Sequence, residues 1–483
     1  MGRAYELLRA DASAHLGLVQ KAIGFEWCRF HGLFHDDMMV AVRLNDGSLR
    51  FQWGQVDKVL DSLLQIGLRP FVELGSMPGA LASGPQTFFY WKMNVTPPKE
   101  WEEWGELVEG FTRHCVDRYG LEEVRRWRFE VWNEPNLEAF WSGTQEQYWR
   151  LYQTAALAVK RVDPHLKVGG PASAEARWVP EFLAFCRQTQ TPVDFVSSHL
   201  YPQNEWTYFD NAGESPYPRG TFFSSKVTEV TREAKQLAAD DLEVHWTEWN
   251  ALSAASRDSV DWLSNPTIDG IGSAACTVRN CLALDDGPDS LFWWVATDVF
   301  EEAGMPQSPF SNTYGLVTVD GLPKPAFHAF HFLAALTGDE LALEGAGQGE
   351  KGAVATRDGG RCVVLLWNDV PPGEVPTVFR TAVKSPAAGL ATIARVRVGS
   401  GSAYEAWVRM GSPQNPTAWQ MERLRIAASP EMDAYPVQKD EPVNVLLEPG
   451  EIQLIEFAPA GDPVITKDDI TAESERWNVG MGL

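Results

Sequence analysis

No run of apolar residues in this chain approaches the length of a membrane span, so a helical membrane protein is excluded as a reading. Cysteine is sparse. The six residues Cys28, Cys115, Cys186, Cys276, Cys281 and Cys362 show no CxxC spacing. Only Cys276 and Cys281 lie close together, and an i,i+5 pair in a helix-like run has poor disulfide geometry. Free thiols in a reducing cytoplasm are the simpler expectation. The first residues, Met1 to Arg9, carry charges throughout and lack an apolar core, so no signal peptide is expected and the sequon Asn94-Val95-Thr96 reads as chance. Basic residues are also short: 41 Lys and Arg face 65 Asp and Glu, a formal charge of −24. A field of that sign works against nucleic acid, anionic membranes and polyanionic polysaccharides as partners, and is compatible with a neutral substrate. Internal repeats and low-complexity segments are missing too.

What is present describes a globular protein with a substantial core: 44% hydrophobic and 22% charged residues over 483 positions, enough for a (β/α)8 barrel plus a smaller module. Strand-like runs alternate with helix-like ones. The strands are Phe25–Phe30, Pro70–Leu74, Arg128–Asn133, Lys167–Gly169, Val193–Ser198, Glu243–Thr247 and Ser290–Val295. Val56–Ile66, Trp101–Tyr119 and Gln147–Val162 are amphipathic. A barrel needs an eighth strand, and the helix candidate Leu16–Ile23 calls for a strand ahead of it. Either the first few residues supply that strand, or the given start omits it, or another segment takes its place. After Ala326–Leu336 the composition shifts at Thr337-Gly338-Asp339, and short β-like runs follow at Arg361–Trp367, Ala394–Val398, Tyr404–Met410, Val443–Leu447 and Ile452–Phe457, as in a β-sandwich. The expected division is a catalytic barrel over 1–336, a β-sandwich over 337–465 and a polar tail over 466–483.

The chemistry lies at two strand ends. Phe129-Glu130-Val131-Trp132-Asn133-Glu134-Pro135-Asn136 reads as a buried strand that Pro135 stops, because proline cannot donate to a sheet ladder and biases its predecessor to extended backbone. That places Glu134 at the tip. Val244-His245-Trp246-Thr247-Glu248-Trp249-Asn250 ends in the same manner, with Glu248 between aromatics. Strand C-termini line the mouth of a barrel. With a first strand ahead of the visible seven, the two glutamates fall on strands four and seven. A lone glutamate there is most simply a solvated charge. Two in such settings are what a double-displacement glycosidase needs: one carboxyl as acid and base, the other as nucleophile, roughly 5–5.5 Å apart. Asn133, directly before Glu134, can hydrogen-bond a sugar hydroxyl beside the reacting carbon.

The segments Cys28-Arg29-Phe30-His31-Gly32, Phe71-Val72-Glu73-Leu74, Asn94–Lys99, Phe129–Leu137, Val193–Ser197, Thr247-Glu248-Trp249-Asn250, Asp298-Val299-Phe300-Glu301-Glu302 and Gly321-Leu322-Pro323-Lys324-Pro325 together resemble glycoside hydrolase family 39, in that family's order across about residues 20 to 335. The family holds bacterial β-xylosidases and α-L-iduronidases, retaining enzymes on a (β/α)8 barrel with an attached β-sandwich. The resemblance implies Glu134 as acid/base and Glu248 as nucleophile. It also implies that His31, Asn133, His199, Tyr201, Trp294 and one of Glu301 and Glu302 contact the sugar. Trp294 ends the last strand, where an indole face can stack on a sugar ring; Phe292 and Trp293 read as outward packing or core. Two rim segments depart from the family's pattern, Asp258–Ser273 and Ser311-Asn312-Thr313, which bears on preference beyond the reacting sugar.

No cofactor or metal is expected. His35-Asp36-Asp37 reads as a solvated loop or a sugar-rim carboxylate, His328 and His331 as packing or a helix surface, and Gly169-Gly170-Pro171-Ala172 lacks phosphate-loop spacing. The expectation is an exo-acting retaining β-xylosidase acting on short oligosaccharides in the cytoplasm. Other family specificities (α-L-arabinosidase, β-glucosidase, α-L-iduronidase), a non-catalytic sugar-binding protein and assembly as a homo-oligomer stay open.

Overall fold

The structure is a computed structural model that describes residues 1–204, 216–218, 220–238, 241–251, 268–284, 287–300, 302, 304–345, 347, 349–370 and 375–459. Seven parallel strands form its first sheet: β1 (Trp27–Phe30), β2 (Arg69–Leu74), β3 (Arg128–Val131), β4 (Lys167–Ser173), β5 (Phe195–His199), β6 (Glu243–Trp249) and β7 (Ser290–Trp293). Each is bonded to the next in chain order, giving a nearly closed barrel. Residues 1–4 run parallel to β1: His31 N donates to Gly2 O at 2.9 Å, and Ala4 N to His31 O at 2.8 Å. They stand where the first barrel strand is expected. Below them, between β1 and β7, lies a cleft of about 190 Å³ lined by Met1, Leu16, Trp27, Leu291 and Trp293.

The outer helices include α1 (Ala10–Ile23), α2 (Gly54–Gln65), α3 (Trp101–Tyr119), α4 (Gln145–Val162), α5 (Val179–Thr189), α6 (Phe222–Leu237), α7 (Gly272–Leu282) and α8 (Pro325–Ala334). Their apolar residues fall at helical spacing. In α3, Trp104, Leu107, Val108, Phe111 and Cys115 are buried against the sheet, each contributing roughly 1.5–3 kcal/mol where the side chain is large. At the start of α4, Thr144 accepts from Gln147 N while the Gln147 side chain accepts from Thr144 N, a capping box worth about 1 kcal/mol. Cys276 and Cys281 both lie on α7, and all six cysteines are free.

Alternation along the strands fills the barrel in layers. Trp27, Phe71, Phe195, His245 and Phe292 form an aromatic floor with ring centroids 4.8–6.3 Å apart, Trp27 and Phe292 stacked and the other pairs edge-on. Two residues beyond Trp27, Phe71 and His245 the inward positions change character to Arg29, Glu73 and Thr247, joined by Glu130 of β3. Beyond those come His31, His199 and Trp294 at the mouth. Phe292 therefore faces inward with Trp294, as core, while Trp293 packs outward on Trp249 and Phe330.

The second sheet is antiparallel through most of its length. It contains β8 (Asp339–Leu341), β9 (Lys351–Asp358), β10 (Arg361–Asn368), β12 (Gly389–Val398), β13 (Glu431–Val437) and β15 (Ile452–Pro459), with a two-stranded ribbon of β11 (Phe379–Lys384) and β14 (Pro442–Leu447) over one face. Val364, Leu366, Ile393, Val443, Val445 and Phe457 form the core between them. The opposite face, through Val363, Leu365 and Trp367, packs on Ala275 and Val278 of α7 and Phe332 of α8. The β-like run Tyr404–Met410 is instead a helix, α9 (Tyr404–Arg409), followed by α10 (Ala418–Ala428). Its β-favouring Tyr and Trp half-bury against α10 and Phe310, so tertiary context overrides propensity. The tail 466–483 lies outside the described residues.

Candidate active site

Strand β3 ends at Val131, two residues before its expected end, and the turn that follows places Glu134. Trp132 and Glu134 have φ of 73° and 44°, a left-handed backbone that costs each non-glycine residue on the order of 1–3 kcal/mol. Partners hold the turn in place. Glu134 N donates to Ala172 O at 2.8 Å, and Asn136 exchanges two hydrogen bonds with Ala174. The Tyr148 hydroxyl lies 3.0 Å from the carbonyls of both Val131 and Pro171. The strain turns the Glu134 carboxyl back into the barrel mouth.

Glu134 and Glu248 meet there across His199. One side-chain nitrogen or oxygen of each of the three lies within 4.8 Å of the others. Burial pushes the Glu134 carboxyl up to about 8, with Arg29 opposing the shift and Glu175 and Glu73 adding to it. Glu248 is held at both oxygens: Arg29 Nη1 donates to Oε1 at 2.8 Å, and the Tyr201 hydroxyl donates to Oε2 at 2.8 Å. One carboxyl is thus favoured as the acid and the other as the anion, the division of roles that two catalytic carboxylates require.

Arg29 is the hub of the layer beneath. Besides Glu248 it reaches Glu130 Oε2 at 2.5 Å, Glu73 Oε2 at 3.0 Å and Asn133 Oδ1 at 2.9 Å. Burial works against its charge, but the three carboxylates more than offset that and hold the guanidinium protonated. Because Asn133 Oδ1 is occupied by Arg29, its Nδ2 donors are turned to the pocket. Glu73, whose burial raises its carboxyl to about 7 against the pull of Arg29, also receives His31 Nδ1 at 2.6 Å. His31 is buried, which lowers its pKa to about 3, and its Nε2 faces Glu248 Oε1 at 3.6 Å.

The resulting pocket, of about 140 Å³, is lined by His31, Asn133, Glu134, Tyr201, Glu248, Trp294 and Glu302, with Phe89, Phe140 and Tyr314 at its rim. His199 lies just beneath, bonded to Glu134. Burial, then the charges of Glu248 and Glu134, push the Glu302 carboxyl well above its usual range. Of the two neighbouring glutamates, Glu302 lines the pocket; Glu301 lies outside the described residues. Trp294 packs on His31 with ring centroids 4.5 Å apart. The loop Ser311–Thr313 adds a support beneath the rim: Lys324 Nζ donates to Thr313 O and pairs with Asp269 and Asp298 at 2.6 Å each.

Sequence reasoning assigned no role to Arg29, Glu73, Glu130, Thr247, Phe89, Phe140 and Tyr314. Arg29, Glu73 and Thr247 carry a readable signal, a polar or charged residue two positions along from an inward ring on the same buried strand; Glu130 follows Arg128 and shows only as a charge within a buried strand. The rim aromatics come from separate loops and carry none.

Comparison with known proteins gives the family of the chain. Residues 1–443 match the family model described as glycosyl hydrolases family 39. The chain is 38% identical to a β-xylosidase of Caldicellulosiruptor saccharolyticus over 86% of its length and 84% of the relative's. It is 37% identical to a β-xylosidase of Geobacillus stearothermophilus over 96% and 92%. The crystal structure of a monomeric β-xylosidase from Caulobacter crescentus CB15 superposes with a TM-score of 0.85, at 32% identity and 95% coverage of both chains.

Proposed function

The chain belongs to glycosyl hydrolases family 39, and from that membership we propose that this glycoside hydrolase is an exo-acting, retaining β-D-xylosidase that removes terminal xylose from short neutral oligosaccharides. The observation that carries the mechanism is the pairing of a proton-holding Glu134 with an Arg29- and Tyr201-held Glu248 within 4.8 Å. Glu248 attacks the anomeric carbon as Glu134 gives its proton to the departing glycosidic oxygen, leaving a glycosyl ester on Glu248. The charge on Glu248 is then gone, and Glu134, now the base, takes a proton from water as that water attacks the same carbon and releases Glu248. Asn133 Nδ2 binds the hydroxyl next to the reacting carbon. The curated relatives' activity supports xylose as the sugar, and the small pocket supports release of one residue at a time. The substrate would be met in the cytoplasm, where the six free cysteines stay reduced.

Hydrolysis of an aryl β-D-xylopyranoside followed by proton NMR tests this reading. The expected first product is β-xylose, with the α anomer growing in only by mutarotation. Initial α-xylose would overturn the role of Glu248. No hydrolysis would overturn the xylose assignment and turn the search to arabinosides, glucosides and iduronides.

A further inference from the structure

Behind Glu134 a chain of hydrogen bonds runs back into the barrel. His199 Nδ1 lies 2.9 Å from Glu134 Oε1, and its Nε2 lies 3.1 Å from Thr247 Oγ1. The Thr247 hydroxyl donates to Glu130 Oε1 at 2.8 Å, while the other oxygen of Glu130 is bound to Arg29 Nε at 2.5 Å. All five residues are buried.

The proton positions along this chain follow from what each group can do. Glu130, paired with Arg29 as a carboxylate, can only accept, so the single hydroxyl hydrogen of Thr247 is committed to it. Thr247 Oγ1 then has only lone pairs left for His199, and Nε2 must be the protonated nitrogen. Burial drives the ring's pKa down to about 4, so it carries one proton at working pH. Nδ1 is therefore bare, and the hydrogen bond to Glu134 must be donated by the Glu134 carboxyl. We propose that Thr247 and Glu130 hold His199 in the tautomer that keeps its proton away from Glu134 and Glu248, leaving Nδ1 as the acceptor for the Glu134 proton.

The alternative tautomer shows why this matters. Nδ1 also lies 3.5 Å from Glu248 Oε2. A proton on Nδ1 would donate to ionised Glu134, stabilising the form that cannot act as an acid, and would stand beside the nucleophile. A break in strand regularity makes the arrangement possible. The register of β6 shifts after Trp246 against both β5 and β7, so the consecutive Thr247 and Glu248 both reach the interior where strict alternation would send them to opposite faces. Thr247 and Glu130 do not touch the sugar; they are positioning residues acting through His199. The proposal rests on the reading of Glu134 as acid and base.

The test is the pH dependence of kcat/KM on phenyl β-D-xyloside. Its basic limb reports Glu134 in the free enzyme, among the charged or titratable groups around that carboxyl and its histidine: Arg29, His31, Glu73, Glu130, Glu175, Tyr201, Glu248 and Glu302. Thr247→Val keeps the shape and removes the acceptor, so the limb is expected to move to lower pH by roughly one unit. Thr247→Ser, which retains the hydroxyl, should restore it. A folded Thr247→Val enzyme with an unmoved limb would overturn the relay. Glu134→Ala separates the two ideas. If the limb survives in that variant, the reading of Glu134 itself fails; if it vanishes there yet stays put in Thr247→Val, only the relay fails. Nitrogen-15 spectra of histidine-labelled full-length protein, with His199 assigned by loss of its signals in His199→Gln, give a readout independent of turnover. A protonated Nε2 and a bare Nδ1 are expected, and a proton on Nδ1 would overturn the proposal.

Discussion

Arg29 Nη1 donates to Glu248 Oε1 at 2.8 Å, and through that bond one buried cation ties the proposed nucleophile to Glu73 and Glu130. Removing the cation would leave three buried carboxylates facing one another. Arg29→Met is expected to cost about 3–5 kcal/mol of stability, the price of breaking a buried pair from one side. It should also abolish turnover, because Glu248 loses the partner that keeps it charged and aimed. Denaturant melts and single-turnover assays check both halves. A stable, active Arg29→Met would show that the carboxylates do not depend on it.

The place of Glu134 and Glu248 at one pocket is legible because the signal is local: aromatic strand, glutamate, proline or amide. Arg29, Glu73 and Glu130 were visible only as charges within buried strands. Whether such a charge faces solvent or the barrel interior depends on closure, a long-range fact. The alternation that runs Trp27, Arg29, His31 up one strand would have found them. The positive φ of Trp132 and Glu134 had no such marker, since neither is a residue that favours left-handed backbone. The eighth barrel position is taken by residues 1–4, too short a piece to carry strand periodicity. Tyr404–Arg409 misled for the opposite reason: β-favouring residues in a short helix whose packing against α10 decides the outcome.

Azide distinguishes the roles of the two glutamates. In Glu248→Ala it can take the place of the missing nucleophile, giving the α-xylosyl azide. In Glu134→Ala it attacks the intact glycosyl enzyme in place of base-activated water, giving the β-xylosyl azide. Glu134→Ala should also lose far more rate on xylobiose than on a dinitrophenyl xyloside, whose leaving group needs no proton. Equal losses on the two substrates would remove Glu134 from its role.

The burial that raises Glu134 to about 8 and Glu73 to about 7 also acts on stability. Both groups have folded pKa values above their unfolded ones, so the folded state binds more protons between roughly pH 4.5 and 8. Stability contributed by their protonated forms is therefore lost as pH rises through that window. Below about pH 6.5 the buried histidines, His31 and His199 among them, have folded pKa values under their unfolded ones and add stability as pH rises. The carboxyls' effect therefore shows above that range: the melting temperature should fall from about pH 7 to pH 8, and Glu134→Gln should melt at least about 2 °C higher than the parent at pH 8. The variant should also lose part of the pH slope. A Glu134→Gln protein with an unchanged slope would show that this carboxyl is not held protonated by the fold.

Asn133 offers a test of how binding energy is directed at the reacting centre. Its Oδ1 is held by Arg29 Nη2 at 2.9 Å, so the amide cannot turn and its donors stay fixed on the pocket. Asn133→Ala should lower kcat/KM on aryl xylosides by about 10²–10³-fold, several kcal/mol of transition-state binding, with KM changing far less than kcat. On the corresponding 2-deoxy substrate the parent has already lost that hydroxyl. There the same substitution should cost little more, and the two losses should couple rather than add. Additive losses would mean that Asn133 acts by positioning Glu134 or Arg29 and not by holding the sugar. The separation is clean because the same amide bond to Arg29 is deleted in both backgrounds, so any purely structural damage appears equally in each.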